Sequence, residues 1–170
     1  MLSETVKLIM SDASENDISA IMDIADECKL SFWSELDYLG ELENKKSFIK
    51  VVYVKGKIVG FILARFNFID FNEQSDNEYS TNDFFREADL LNIGVSNAAQ
   101  KQGIGSLLLN ALIQECKNFQ TEKIWLEVRE SNSNAREFYK RKGFVETQIR
   151  RSFYTNPTEN AVLMAMDITK

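Results

Sequence analysis

The chain has 170 residues, 44% hydrophobic and 27% charged, with a net charge of −6, two cysteines and no histidine. This is the composition of one globular domain, 1–170, long enough to bury a core. The absence of histidine removes Ser-His-Asp and Cys-His catalysis and every histidine-ligated metal site, so proton transfer falls to Glu, Asp, Tyr, Lys or water.

A negative balance without a basic block argues against nucleic acid and anionic membrane surfaces, and makes a basic protein or an amine the natural partner. No apolar run approaches a membrane span, and Met1–Met10 carries Glu4 and Lys7 where a signal peptide would be apolar, so a cytoplasmic protein is expected. Cys28 and Cys116 sit apart on helical faces without a neighbour at metal-ligand spacing, which reads as packing rather than catalysis, and no metal is expected.

In chain order, Thr5–Met10 reads as a strand, and Ser14-Glu15-Asn16-Asp17 as capping chemistry for a helix whose apolar positions are Ile18, Ile21, Met22 and Ala25. Ser34 can cap a second helix through Leu36, Leu39 and Leu42, with Asp37 at the third position. Phe32 and Trp33 at its entrance either staple two helices or line a substrate mouth. Phe48–Val54 and Ile58–Ala64 flank Lys55-Gly56-Lys57 and form an antiparallel hairpin. From Asn67 to Asp89 runs an acidic segment, read as an extended hairpin end or a loop, and either as a solvated acidic stretch or as an electrostatic guide for a cationic substrate.

Leu90–Val95 is then a strand, Ser96 to Gly105 a turn, and the residues after Gly105 a helix with an apolar face of Ile104, Leu107, Leu108, Ala111, Leu112 and Phe119. Gly103 and Gly105 at the helix start leave backbone N–H groups open to an anion, most often phosphate; a plain tight connection uses the same residues. Lys123–Arg129 alternates, with Trp125, Glu127 and Arg129 on one face. Asn132 opens a short helix from Ala135 to Lys142, which Gly143 ends; strands Phe144–Arg151 and Val162–Ile168 close a mixed α/β sheet with helices on its faces.

Gln100-Lys101-Gln102-Gly103-Ile104-Gly105 after a strand resembles the acetyl-CoA pyrophosphate loop of the GNAT N-acetyltransferases. Leu126-Glu127-Val128-Arg129-Glu130-Ser131-Asn132, Ala135, Phe138-Tyr139 and Lys142-Gly143-Phe144 are similar to that family's second half. Trp33-Ser34-Glu35, Leu91-Asn92-Ile93 and Ile149-Arg150-Arg151 with Tyr154 are similar to its branch of ribosomal-protein alanine N-acetyltransferases. Ser96-Asn97 and Phe32 depart from that branch's usual Asp-Pro and Pro, and the acidic segment is longer, which bears on substrate choice more than on chemistry.

The resemblance implies a mostly antiparallel central sheet flanked by helices and direct transfer from acetyl-CoA to an amine. The acceptor it implies is the N-terminal alanine of a small-subunit ribosomal protein. A small amine, such as a polyamine, amino acid or antibiotic, and a non-catalytic acyl-CoA sensor are the alternatives. The implied cofactor contacts are Gln100, Lys101, Gln102, Gly103, Ile104, Gly105 and Ser106, the backbone of Ile93, Gly94 and Val95, and the Asn132 side chain. Glu127 is the implied general base and Tyr139 the general acid. Spacing alone also reads Glu127 as the partner of Arg129 or Lys123, and Tyr139 as a core aromatic. The acceptor groove falls at Trp33, Ser34, Glu35, Arg150, Arg151 and Tyr154, with Trp33 and Tyr154 foremost.

Overall fold

The computed structural model describes residues 7–68 and 85–168. Strands β1 (Leu8–Asp12), β2 (Ser47–Val54), β3 (Lys57–Phe68), β4 (Phe85–Val95), β5 (Lys123–Arg129), β6 (Val145–Thr155) and β7 (Thr158–Asp167) form one sheet in the order β1-β2-β3-β4-β5-β7-β6. The helices are α1 (Ile18–Glu27), α2 (Glu35–Glu43), α3 (Ile104–Asn118) and α4 (Ser133–Arg141). Pairing is antiparallel for β1·β2, β5·β7 and β6·β7 and parallel for β4·β5, giving the expected mixed, mostly antiparallel sheet with helices.

The chain divides into two compact units, 1–64 with 92–112 and 65–91 with 113–170. Strands β3 and β4 and helix α3 each begin in one unit and end in the other.

In the first unit, local chemistry explains the elements. Ser14 N–H donates to Asp17 Oδ2 at 2.7 Å ahead of α1, and Ser34 N–H does the same to Asp37 Oδ2 at 2.7 Å ahead of α2, so both predicted caps form. The β2–β3 hairpin turns on Lys55 (φ 48°) and Gly56 (φ 76°), the left-handed pair that a two-residue connection requires. The sheet carries α3 on one face and α1 on the other. A Cβ at Gly60 would lie 2.9 Å from Ile104 of α3, and one at Gly94 would lie 2.8 Å from Phe61 Cε1 and 3.0 Å from Ile24 of α1. Gly94 is therefore glycine because Phe61 fills its place.

Several sequence readings need correction here. The first strand begins at Leu8, and Thr5 and Val6 lie outside the described residues. Ile24 rather than Met22 completes the buried face of α1. Helix α2 buries Tyr38 and Glu41 and leaves Leu36 77% exposed; Glu41 accepts a hydrogen bond from Ser47, while Tyr38 meets Phe61 edge to face. In α3 the buried residues are Ile104, Leu108, Leu109, Leu112 and Cys116, so the face is rotated toward Leu109, and Phe119 lies beyond the helix end.

The second unit is built on β5. Ile124, Leu126 and Val128 are buried, while Lys123, Trp125, Glu127 and Arg129 face the other way and stay half-buried, as the alternation predicts. Helix α4 is capped by Asn132, whose Oδ1 accepts from Ala135 N–H at 3.1 Å, and ends at Gly143 with φ 100°. Strands β6 and β7 extend further than expected: Tyr154 and Thr158 both belong to strands, and Asn156-Pro157 alone makes the turn. Most of the acidic segment read between Asn67 and Asp89 lies outside the described residues; at its ends, Asn67 Nδ2 donates to Asp89 Oδ2 at 2.8 Å.

Candidate active site

The glycine turn in the first unit takes the form of a cradle. After Val95 come a 3₁₀ turn at Asn97–Ala99, Lys101 at φ 60° and Gly103 at φ 85°, and α3 starts at Ile104. The Gly103 carbonyl accepts the Leu107 N–H at 2.9 Å, which leaves the N–H groups of the first turn without helical partners. Gln100, Lys101, Gln102 and Gly103 are exposed, Gly105 and Ser106 are half-buried, and a Cβ at Gly103 would meet nothing within 4 Å. Ile104, by contrast, is 1% exposed and anchors the loop to the core. An open backbone turn at the positive end of a 15-residue helix fits a phosphate-bearing cofactor.

One feature of this loop had no sequence signal. Gln100 Nε2 donates to the Val95 carbonyl at 3.1 Å and to Asn97 Oδ1 at 3.0 Å, and Gln102 Nε2 donates to the Ala98 carbonyl at 3.2 Å. The glutamine side chains thus brace the turn. The Val95 carbonyl also accepts from Cys28 Sγ at 3.2 Å. Burial, with Glu27 beside it, raises the Cys28 pKa, and burial pushes Cys116 up to about 12, so both thiols stay protonated packing groups. Along β4, the ladder to β5 runs over Glu87–Leu90, so Ile93, Gly94 and Val95 lie past its last pair, Leu90 with Leu126. Trp33 is half-buried at the start of α2, with its ring centroid 5.5 Å from that of Tyr38, while Phe32 beside it is 90% exposed.

The second unit gathers the polar chemistry. Glu127 projects from β5 and takes a hydrogen bond and ion pair from Arg150 of β6. Neither expected partner holds it. Arg129 is drawn away by Glu159 at 3.1 Å and the Asn156 and Pro157 carbonyls, and lies 4.2 Å from the Tyr154 ring. Lys123 pairs with Asp167 at 3.6 Å and lies over Trp125.

Tyr154 is half-buried, and its pKa is pushed up to about 12, by burial first and then by the Glu127 carboxylate. Tyr139 of α4 is 8% exposed between Phe138 and Phe144; burial, and then Tyr154, raise its pKa further above the ordinary tyrosine value. Three segments distant in sequence, at 127, 139 and 150–154, therefore meet electrostatically. Glu127, held on one side by Arg150, and the Tyr139 phenol, which burial keeps protonated, are groups able to take and to give a proton. Asn132 uses its oxygen on the α4 cap and has its amide N–H groups for other contacts. Among the described residues, no group of three or more His, Cys, Asp or Glu is placed to hold a metal ion, and no helix is long and apolar enough to cross a membrane.

A mixed sheet of this order, with a glycine-bearing turn leading from its fourth strand into a helix, defines an acyltransferase class, and comparison with known proteins agrees. The model of the acetyltransferase (GNAT) family matches residues 18–144, and the chain belongs to that family. Among curated relatives, it is 48% identical over 82 residues to the [ribosomal protein bS18]-alanine N-acetyltransferase of Haemophilus influenzae, covering 46% of this chain and 56% of the relative. The match thus spans about half the length of that relative. An N-alpha-acetyltransferase of Sulfurisphaera tokodaii is 31% identical over 129 residues, 75% of this chain and 74% of that protein. The crystal structure of the ribosomal-protein-S18-alanine N-acetyltransferase from Escherichia coli superposes with a TM-score of 0.77 at 28% identity, covering 96% of each chain.

Proposed function

We propose that residues 1–170 form a single acetyl-CoA-dependent N-acetyltransferase domain, acting on the N-terminal α-amino group of a protein, with the N-terminal alanine of a small-subunit ribosomal protein as its acceptor. The observation that carries the reading is the Glu127, Tyr139 and Tyr154 cluster, in a chain whose relatives include alanine N-acetyltransferases. A cytoplasmic location accompanies a ribosomal acceptor.

Acetyl-CoA supplies an acetyl group activated as a thioester. The N–H groups of Gln102 to Gly105 hold its pyrophosphate; Lys101 and Ser106 flank it, the backbone of Ile93–Val95 carries its arm, and Asn132 contributes its amide. Trp33 and Tyr154 contact the acceptor. Glu127 takes a proton from the acceptor's ammonium, which frees the nitrogen lone pair. That nitrogen forms the C–N bond at the thioester carbonyl as the C–S bond breaks. Tyr139 gives its phenolic proton to the leaving thiolate, the acylated nitrogen releases its second proton to solvent, and Tyr139 regains a proton from solvent while Glu127 returns its own there. An α-amino group, with a reference pKa of roughly 7.7–8.0 against about 10.4 for lysine, needs only a modest base at neutral pH.

The test measures CoA-thiol release with three acceptors: a peptide beginning Ala-Arg, the same peptide N-terminally blocked but carrying lysine, and spermidine. Selective turnover of the free-ended peptide is the expected result. Turnover of spermidine alone moves the acceptor to small amines, and silence with all three, alongside CoA binding, makes the chain an acyl-CoA sensor.

A further inference from the structure

Strand β7 lies between β5 and β6, and its register sets Arg129, Ala161 and Arg150 in one row across the sheet, with Glu127 and Leu163 two rows on and so on the same face. Ala161 is fully buried and small, so the long Arg150 side chain passes over it to Glu127. Its Cζ also lies 4.5 Å from the Phe153 ring centroid, a cation–π contact.

The pair is only half used. Arg150 reaches Glu127 Oε1 through Nη1, and among the described residues its other N–H groups make no hydrogen bond; Glu127 Oε2 likewise accepts none. The two side chains are 50% and 28% exposed, so a ligand can approach both. What the pair presents is a free carboxylate oxygen beside the free donors of a planar fork.

We propose that Glu127 and Arg150 together read an α-aminoacyl group. The ammonium meets Glu127 Oε2, and the carbonyl oxygen of the same residue accepts from the free guanidinium N–H groups. A peptide N-terminus carries amine and carbonyl on one carbon; a lysine side chain or a polyamine carries the amine alone. Arg150 is thereby the residue that selects N-termini over other amines. This rests on the assignment of Glu127 as the base.

The experiment compares kcat/KM for an alanine-initiated peptide and for its analogue in which a trans-alkene replaces the first peptide bond, in the wild type and in Arg150→Ala, Arg150→Lys and Glu127→Gln variants of matched melting temperature. A charge-assisted hydrogen bond predicts that Arg150→Ala loses about 10- to 100-fold on the amide and leaves the alkene unchanged, so the preference shrinks by that factor. Lysine keeps the charge without the fork, and Arg150→Lys stays close to Arg150→Ala. Equal losses on both acceptors, no loss on either, or full recovery with lysine overturns the proposal. Turnover retained by Glu127→Gln overturns the base assignment itself. A dead Glu127→Gln beside an unchanged preference in Arg150→Ala overturns the reading role alone.

Discussion

The turn from Val95 to Ile104 and the cluster around Glu127 use different materials. The turn is one continuous segment whose chemistry is backbone: a positive φ at Gly103, unpartnered N–H groups at a helix start, and two glutamines bracing carbonyls. The cluster is side chains alone, delivered by β5, α4 and β6. A backbone site tolerates changes in side chain but not in conformation, whereas a side-chain site fails atom by atom. The two regions should therefore fail differently when mutated.

The largest effect is expected in the cluster. Glu127→Gln should lower turnover by about 10²- to 10⁴-fold, the usual range for a positioned acid or base, with an unchanged melting temperature. Tyr139→Phe should act in the same direction and toward the lower end of that range. Both are read by CoA-thiol release beside a thermal melt; near wild-type turnover in both folded variants would dissolve the contrast by making the cluster structural.

Gly94→Ala tests the opposite case. Its Cβ would sit 2.8 Å from Phe61 Cε1, and overpacking of this kind costs about 1–3 kcal/mol, to be seen as a lowered urea midpoint. Adding Phe61→Leu should recover part of it. At Gly103 the space is open, and only the left-handed φ of 85° resists a side chain, so Gly103→Ala should cost about 1 kcal/mol and weaken CoA binding measured by calorimetry.

The smallest effect lies away from both regions. Tyr53 donates to Asp17 Oδ1 at 2.6 Å. Burial alone would raise the Asp17 pKa, but the bonds from Tyr53 and Ser14 hold it below its ordinary 3.8. A depressed carboxyl stabilises the fold above its unfolded pKa, and that contribution is lost as pH falls through the folded value. Tyr53→Phe should therefore cost about 1 kcal/mol at pH 7, and the difference should shrink in unfolding curves taken below about pH 4.

The turn was legible because all of it lies in ten consecutive residues, and because glycine spacing states a backbone requirement directly. The caps at Ser14 and Ser34 were legible for the same reason, each closing within three residues. The alternation on β5 placed Glu127 on the less buried face. Sequence could not name its partner: Arg129 and Lys123 stood nearer in the chain, yet the turn carbonyls and Asp167 claimed them, and the register across β7 brought Arg150 instead.

By itself, then, the order of residues determined the local elements, the glycine-bearing turn and the lack of histidine, since each depends on contacts a few residues long or on composition alone. Which way α3 turns its apolar face, why Gly94 admits no side chain, and which arginine meets Glu127 were decided by tertiary structure. Those outcomes depend on packing volume and strand register, which link residues tens of positions apart.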